Sequence, residues 1–180
     1  MDFLDFENHD LYFDEVLTPE QTAILKQAAD AYPDKKTEKL LRGLYADRPE
    51  SMHVLVAMYR FYYYQHRYED ALDIAAHALG ASAKTLGLTV DWSELGAHHL
   101  GMSASMGLIR FYMLALKAAA YLLLRLGRVD EAIARLDKII ELDPADQFGA
   151  TFLHKIAKKE QVNRDVAKQA NVESLFRTLH

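Results

Sequence analysis

The residues whose types come nearest to a reactive constellation are His98 and His99, with Glu94 four positions before His98. On a helix Glu94 and His98 would share a face, offering a carboxylate and an imidazole together. Adjacent residues point about 100° apart on a helix, however, so the two imidazoles make a poor shared metal site. No HExxH motif and no third ligand at a useful spacing accompanies them. The expectation is a polar loop or partly buried histidines, with no metal and no cofactor. His53, His66, His77 and His154 are scattered and read as surface or helix-packing positions. The carboxylate pairs Glu69-Asp70 and Asp130-Glu131 each open a helix, where they complement its positive end instead of forming an acid–base pair.

No GxGxxG, P-loop or GxSxG pattern occurs, which leaves nucleotide binding and serine hydrolysis without a basis. There is no cysteine, so disulfides, thiolate metal sites and thiol nucleophiles are excluded. A net charge of −5 without a long basic stripe argues against nucleic-acid binding. The expectation is a protein that is not an enzyme.

One run has surface character. Tyr59, Phe61, Tyr62, Tyr63, Tyr64 and Tyr68 cover every side of their helix. Part of that ring must be core, and the rest is either core as well or a partner surface on a second face.

Positioning these residues requires helices. The 180-residue chain is rich in alanine and leucine, poor in glycine and proline, and shows no strand-like alternation. The fold class is all-α. Residues 1–17 form an acidic, aromatic arm with Asp2, Asp5, Phe6, Asp10, Tyr12 and Phe13, and residues 18–180 form one helical domain. Thr18-Pro19-Glu20-Gln21 starts a first helix that ends near Tyr32-Pro33. Further helices are predicted at about 34–46, 50–65, 68–86, 104–126 and 129–142. Another is expected from Asp146 to about 159, then a weaker capping helix over 163–179, broken at Asn171. Between them, Asp91-Trp92-Ser93-Glu94 reads as a short capped helix inside a glycine-bearing insertion at about 84–107. Trp92 should pin that insertion to the body beside Leu95 and Leu100. The apolar stretch from Met106 to Gly127 carries Arg110, Lys117 and Arg125, too many cations for lipid, so it reads as a buried helix without membrane insertion. The N-terminus lacks a signal-peptide pattern, and a cytoplasmic protein is the expectation.

The clearest long-range signal is a repeat. His66-Arg67-Tyr68-Glu69-Asp70-Ala71-Leu72 returns 61 residues later as Gly127-Arg128-Val129-Asp130-Glu131-Ala132-Ile133. Residues 113–144 have small Ala119 and Ala120, Leu123, a turn at Gly127, Ala132 in the second helix and a closing Pro144. This stretch resembles the tetratricopeptide repeat family, whose antiparallel helix pairs recur about every 34 residues. Residues 52–83 are similar, but Tyr59 stands at a usually small position, His66 at the turn glycine and Ala83 at the proline. Degenerate units flank both copies.

The resemblance implies a superhelix of antiparallel helix pairs, with the insertion between two repeats, and a binding surface lined by first helices. On those helices it selects Lys26, Arg60, Tyr63, Tyr64, Lys117, Tyr121, Arg125, Lys155 and Lys158. Basic side chains between tyrosines suit an acidic, aromatic-containing protein segment. The expected function is therefore protein binding, as an adaptor, assembly factor or small chaperone, with homodimerisation open. Two alternatives remain: a small-molecule or metal site built around 88–105, and a structural homo-oligomer.

Overall fold

A computed structural model describes residues 16–30, 35–101 and 105–178, and their regular elements are all helices, with no strand among them. In chain order the helices are α1 Pro19–Asp30, α2 Lys35–Asp47, α3 Met52–Tyr64, α4 Tyr68–Leu86, α5 Ala97–Leu100, α6 Met106–Arg125, α7 Val129–Leu142 and α8 Ala150–Thr178. The all-α expectation holds among the described residues.

Local chemistry sets most boundaries. Gln21 N–H donates to Thr18 Oγ1 at 3.2 Å while Thr18 N–H donates back to Gln21 Oε1 at 2.9 Å, closing a capping box ahead of α1. Ser51 and Ser105 cap α3 and α6 alike, accepting from Val54 N–H and Leu108 N–H at 3.4 and 3.3 Å. Gly87 ends α4 in the left-handed conformation, with φ of 70°.

The repeated motif folds into a repeated turn. After α3, His66 N–H donates to Tyr63 O and Arg67 N–H to Tyr62 O; after α6, Gly127 N–H donates to Leu124 O and Arg128 N–H to Leu123 O. Both central residues are left-handed, His66 at 59° and Gly127 at 72°. Each following arginine then pairs with a carboxylate three residues on, Arg67 with Asp70 at 2.7 Å and Arg128 with Glu131 at 2.6 Å.

Packing follows chain order: α1 lies on α2 and α3, α2 on α3, α3 on α4, α4 on α6, α6 on α7, and α7 on α8. The α4–α6 contact is the most extensive. Relative to the shared turn, α6 is longer than α3 (20 residues against 13) at its start, and α4 is longer than α7 (19 against 14) at its end. Small Ala71, Ala75 and Ala78 on α4 and Ala115, Ala118 and Ala119 on α6 permit the close approach.

Two cores result, with α6 between them. Phe111, Ala115, Ala119 and Leu122 join the core of α1–α4, and Tyr112, Leu116 and Ala120 join the core with α7 and α8. A helix buried on two sides is apolar nearly all round. Met106–Arg125 is thus long and apolar enough to cross a membrane by composition, yet 67% of its most apolar window is buried in the fold.

Three expectations require correction. Asp91 to Glu94 is a turn, not a helix: the Asp91 carboxylate accepts from Ser93 N–H at 3.0 Å and Ser93 Oγ at 2.7 Å. Asp146 does not begin a helix. It is left-handed, with φ of 51°, and its side chain accepts from Thr151 N–H at 3.1 Å, so α8 starts at Ala150. Finally, α8 runs unbroken through Asn171, because no glycine or proline interrupts residues 150–178.

Candidate functional site: a tyrosine cluster around Arg125

The C-terminal ends of α3 and α6 and the first residue of α4 bring four tyrosines together. Tyr63 is the hub. Its ring lies 5.5 Å from Tyr64, 6.1 Å from Tyr68 and 6.0 Å from Tyr121 between centroids, and stacks on buried Tyr59 at 5.9 Å. Tyr63 Oη donates to Tyr121 Oη at 3.3 Å, bridging α3 to α6.

Arg125 crosses this cluster. It donates from Nη1 to Tyr121 Oη at 3.3 Å and from Nη2 to Tyr68 Oη at 2.6 Å, with its guanidinium carbon 4.7 Å from the Tyr68 ring centre. The Tyr121 hydroxyl favours the charged form and raises the Arg125 pKa. Tyr68 Oη also shares a hydrogen bond with His66 Nδ1, 2.8 Å away. Among the described residues, no carboxylate lies within ion-pair distance of Arg125. The geometry is that of an exposed cation held in place by phenols. Such a guanidinium can take a carboxylate bidentately.

Of the residues selected from sequence, the structure unites Tyr63, Tyr64, Tyr121 and Arg125. Arg60, one turn earlier on α3, is half-buried. Lys26 on α1 and Lys155 and Lys158 on α8 are exposed and belong to the outer helices, apart from the cluster. Lys117 corrects the expectation. It is 4% exposed, and its ammonium donates to Phe148 O in the α7–α8 turn. Asp143 holds the same turn by accepting from Phe148 N–H at 2.9 Å. Lys117 therefore fastens that turn from beneath.

Two members were missed. Tyr68 opens α4 and His66 occupies the turn, whereas the selection took only first helices. The signal was present in the repeated motif itself, since Tyr68 has the aliphatic Val129 as its counterpart.

The insertion is held against α7. Leu95 is fully buried, and Trp92 and Leu100 pack beside it as expected. Arg135 lies over the Trp92 ring at 4.7 Å, and Lys138 donates to Leu95 O at 3.0 Å. The His98 and His99 rings lie 3.8 Å apart and tilted by 38°, while Gly96 N–H donates to His99 Nδ1 at 2.9 Å. Among the described residues, no group of three or more His, Cys, Asp or Glu is arranged to hold a metal ion.

Fold and site define a helical protein of serially packed hairpins with an exposed cation in an aromatic setting. The chain belongs to a family with the "Uncharacterized 19.8 kDa protein in nifW 5′ region" of Azotobacter chroococcum mcd 1, to which it is 46% identical over 155 residues, 85% of this chain and 86% of the relative. No family model and no solved structure matches it.

Proposed function

We propose that this protein is a tetratricopeptide-like binding module that recognises an acidic, aromatic-containing segment of a partner protein and catalyses no reaction. The repeated turn, with the same hydrogen bonds 61 residues apart, supports the helix-pair reading. The extended ends of α4 and α6 and the linker between them account for the longer spacing. The observation that carries the binding site is Arg125: two tyrosine hydroxyls orient it, and no carboxylate of the described residues neutralises it. A partner carboxylate would accept from the guanidinium while Tyr63, Tyr64 and Tyr121 receive an aromatic side chain. Lys26, Arg60, Lys155 and Lys158 would add long-range attraction, consistent with a cytoplasmic adaptor, assembly factor or small chaperone.

The relative's name places it in the nifW 5′ region, so the products of genes beside this chain's own are the first partners to test. The partner is sought by affinity purification with wild type and Arg125→Glu in parallel, then titrated after purification. A charge-assisted hydrogen bond contributes about 1.5–3 kcal/mol, so Arg125→Ala should weaken binding by roughly 10- to 100-fold. Tyr121→Phe should weaken it less, and affinity should fall with salt. Unchanged affinity in folded Arg125→Ala and Arg125→Glu proteins would remove Arg125 as the anchor.

A further inference from the structure

The outermost described helix leaves one face uncovered. On α8, His154 Nε2 lies 2.8 Å from Asp137 and Gln161 donates to Asp130 at 2.7 Å, which fastens one side of the helix to α7. Ala150, Leu153 and Ala157 pack into the core on that side. Roughly opposite, Phe152, Ile156, Val162 and Val166 are 70%, 45%, 60% and 60% exposed. At about 100° per residue these four fall within an arc of roughly 120°. Isolated exposed apolar residues are ordinary, but a stripe about four turns long marks a surface that something covers.

The spacing of the stripe points to its occupant. Counted from Lys159, the four residues stand at −7, −3, +3 and +7. A two-fold axis at Lys159 brings Phe152 of one copy level with Val166 of the other, and Ile156 level with Val162. An isologous contact requires such a self-complementary pattern. The stripe is therefore matched in length and spacing by a second α8 that runs in the opposite direction. Lys155 and Lys159 are exposed within the same arc. Their stems can lie along apolar surface while the ammonium heads stay in water.

Charge selects the direction. Residues 150–159 carry Lys155, Lys158 and Lys159 and no acidic residue, whereas residues 160–169 carry Glu160 and Asp165 with Arg164 and Lys168. A parallel pair would set the three lysines against three lysines. An antiparallel pair sets them against the half that holds both carboxylates, with Lys158 level with Glu160.

We propose that α8 pairs antiparallel with α8 of a second copy about a two-fold axis at Lys159, making the protein a reversible homodimer. A single helix pair is a small interface, of the size that weak and transient complexes use. This surface is separate from the Arg125 cluster and does not rest on the peptide-binding reading.

The test uses the full chain. Sedimentation across a wide concentration range should show a wild type that dimerises reversibly. Phe152→Ser with Ile156→Ser should raise the apparent Kd about tenfold or more. The chain has no cysteine, so single cysteines report direction and register even if the serine variant misfolds. Lys159→Cys should cross-link to itself under mild oxidation. The two copies of Phe152 would lie about 21 Å apart, 14 residues at about 1.5 Å each, beyond the roughly 7 Å between Cα atoms that a disulfide spans. Phe152→Cys should therefore cross-link to Val166→Cys in a mixture and not to itself. A wild type monomeric up to about 1 mM would leave the face to a different protein and overturns the proposal. So does a folded serine variant that dimerises normally, or a Phe152→Cys chain that cross-links to itself as readily as to Val166→Cys. Arg125→Glu should leave dimerisation intact. Its loss there would place the contact in the tyrosine cluster, overturning the α8 pairing while leaving the peptide-binding reading standing.

Discussion

The hairpins α3–α4 and α6–α7 share a turn and almost nothing else. Their backbone hydrogen bonds correspond one for one, although His66 occupies the left-handed position in the first and Gly127 in the second. Above the turns the first hairpin fills space with aromatics, whereas α6 carries alanines and leucines between two cores. The turn is a local backbone device that tolerates either residue at a modest cost. The helices above it are shaped by their neighbours. Aromatic excess on α3 therefore yields a surface, while small residues on α6 yield close packing.

The largest expected effects come from altering how each hairpin fills space. Phe61→Ala should empty a packed site on α3 and cost about 3–5 kcal/mol. Ala120→Phe should overfill α6 against α7 and cost about 1–3 kcal/mol or more. Denaturant unfolding measures both. A tolerated Ala120→Phe would show that α6 and α7 do not pack as tightly as the buried alanine implies.

Exchanging the turn residues gives smaller and unequal effects. Gly127→His should destabilise by about 1–2 kcal/mol, since a side chain resists positive φ. The Arg164 side chain, 3.1 Å from the added Cβ, has a mobile end and can move aside. His66→Gly relieves the same strain but gives up the Tyr68 contact and raises chain entropy, so it should change stability by less than about 1 kcal/mol. Equal losses at both positions would mean that the two turns are not equivalent.

The smallest effect is electrostatic. Arg67 reaches back to Glu38 on α2 at 2.8 Å, whereas among the described residues Arg128 pairs only with Glu131 on its own helix. The hydrogen bond from Arg67 holds the Glu38 carboxyl below its ordinary value of 4.5. A depressed carboxylate pKa stabilises the fold fully above the unfolded value, and the contribution is lost as pH falls through the folded value. Wild type should therefore exceed Glu38→Gln in melting temperature at neutral pH, with the gap closing below about pH 4.5. Glu131→Gln should show a weaker version, because that pair is screened by solvent. A gap that persists into strong acid would show that the Arg67–Glu38 tie contributes nothing through charge.

What the sequence determined by itself is local. The Thr18 box, the carboxylates that open α4 and α7 and the ends at Gly87 and Gly127 involve residues within about five positions. Their chemistry operates wherever the chain lies, and so α7 was predicted at 129–142 and formed there. The all-α class follows for the same reason, from propensity and periodicity summed along the chain. Partners far apart in sequence were decided only by tertiary structure. Lys117 has the spacing of a surface residue, yet packing of α8 over α6 buries it beneath Phe148, 31 positions away. Tyr68 meets Arg125 across 57 positions, and Tyr63 meets Tyr121 across 58. Asp146 looked like a helix start until Lys117 and Asp143 fixed the turn around it. A sequence pattern states which face of a helix is apolar. Which neighbour covers that face, and which polar group is trapped beneath it, depends on how the helices stack.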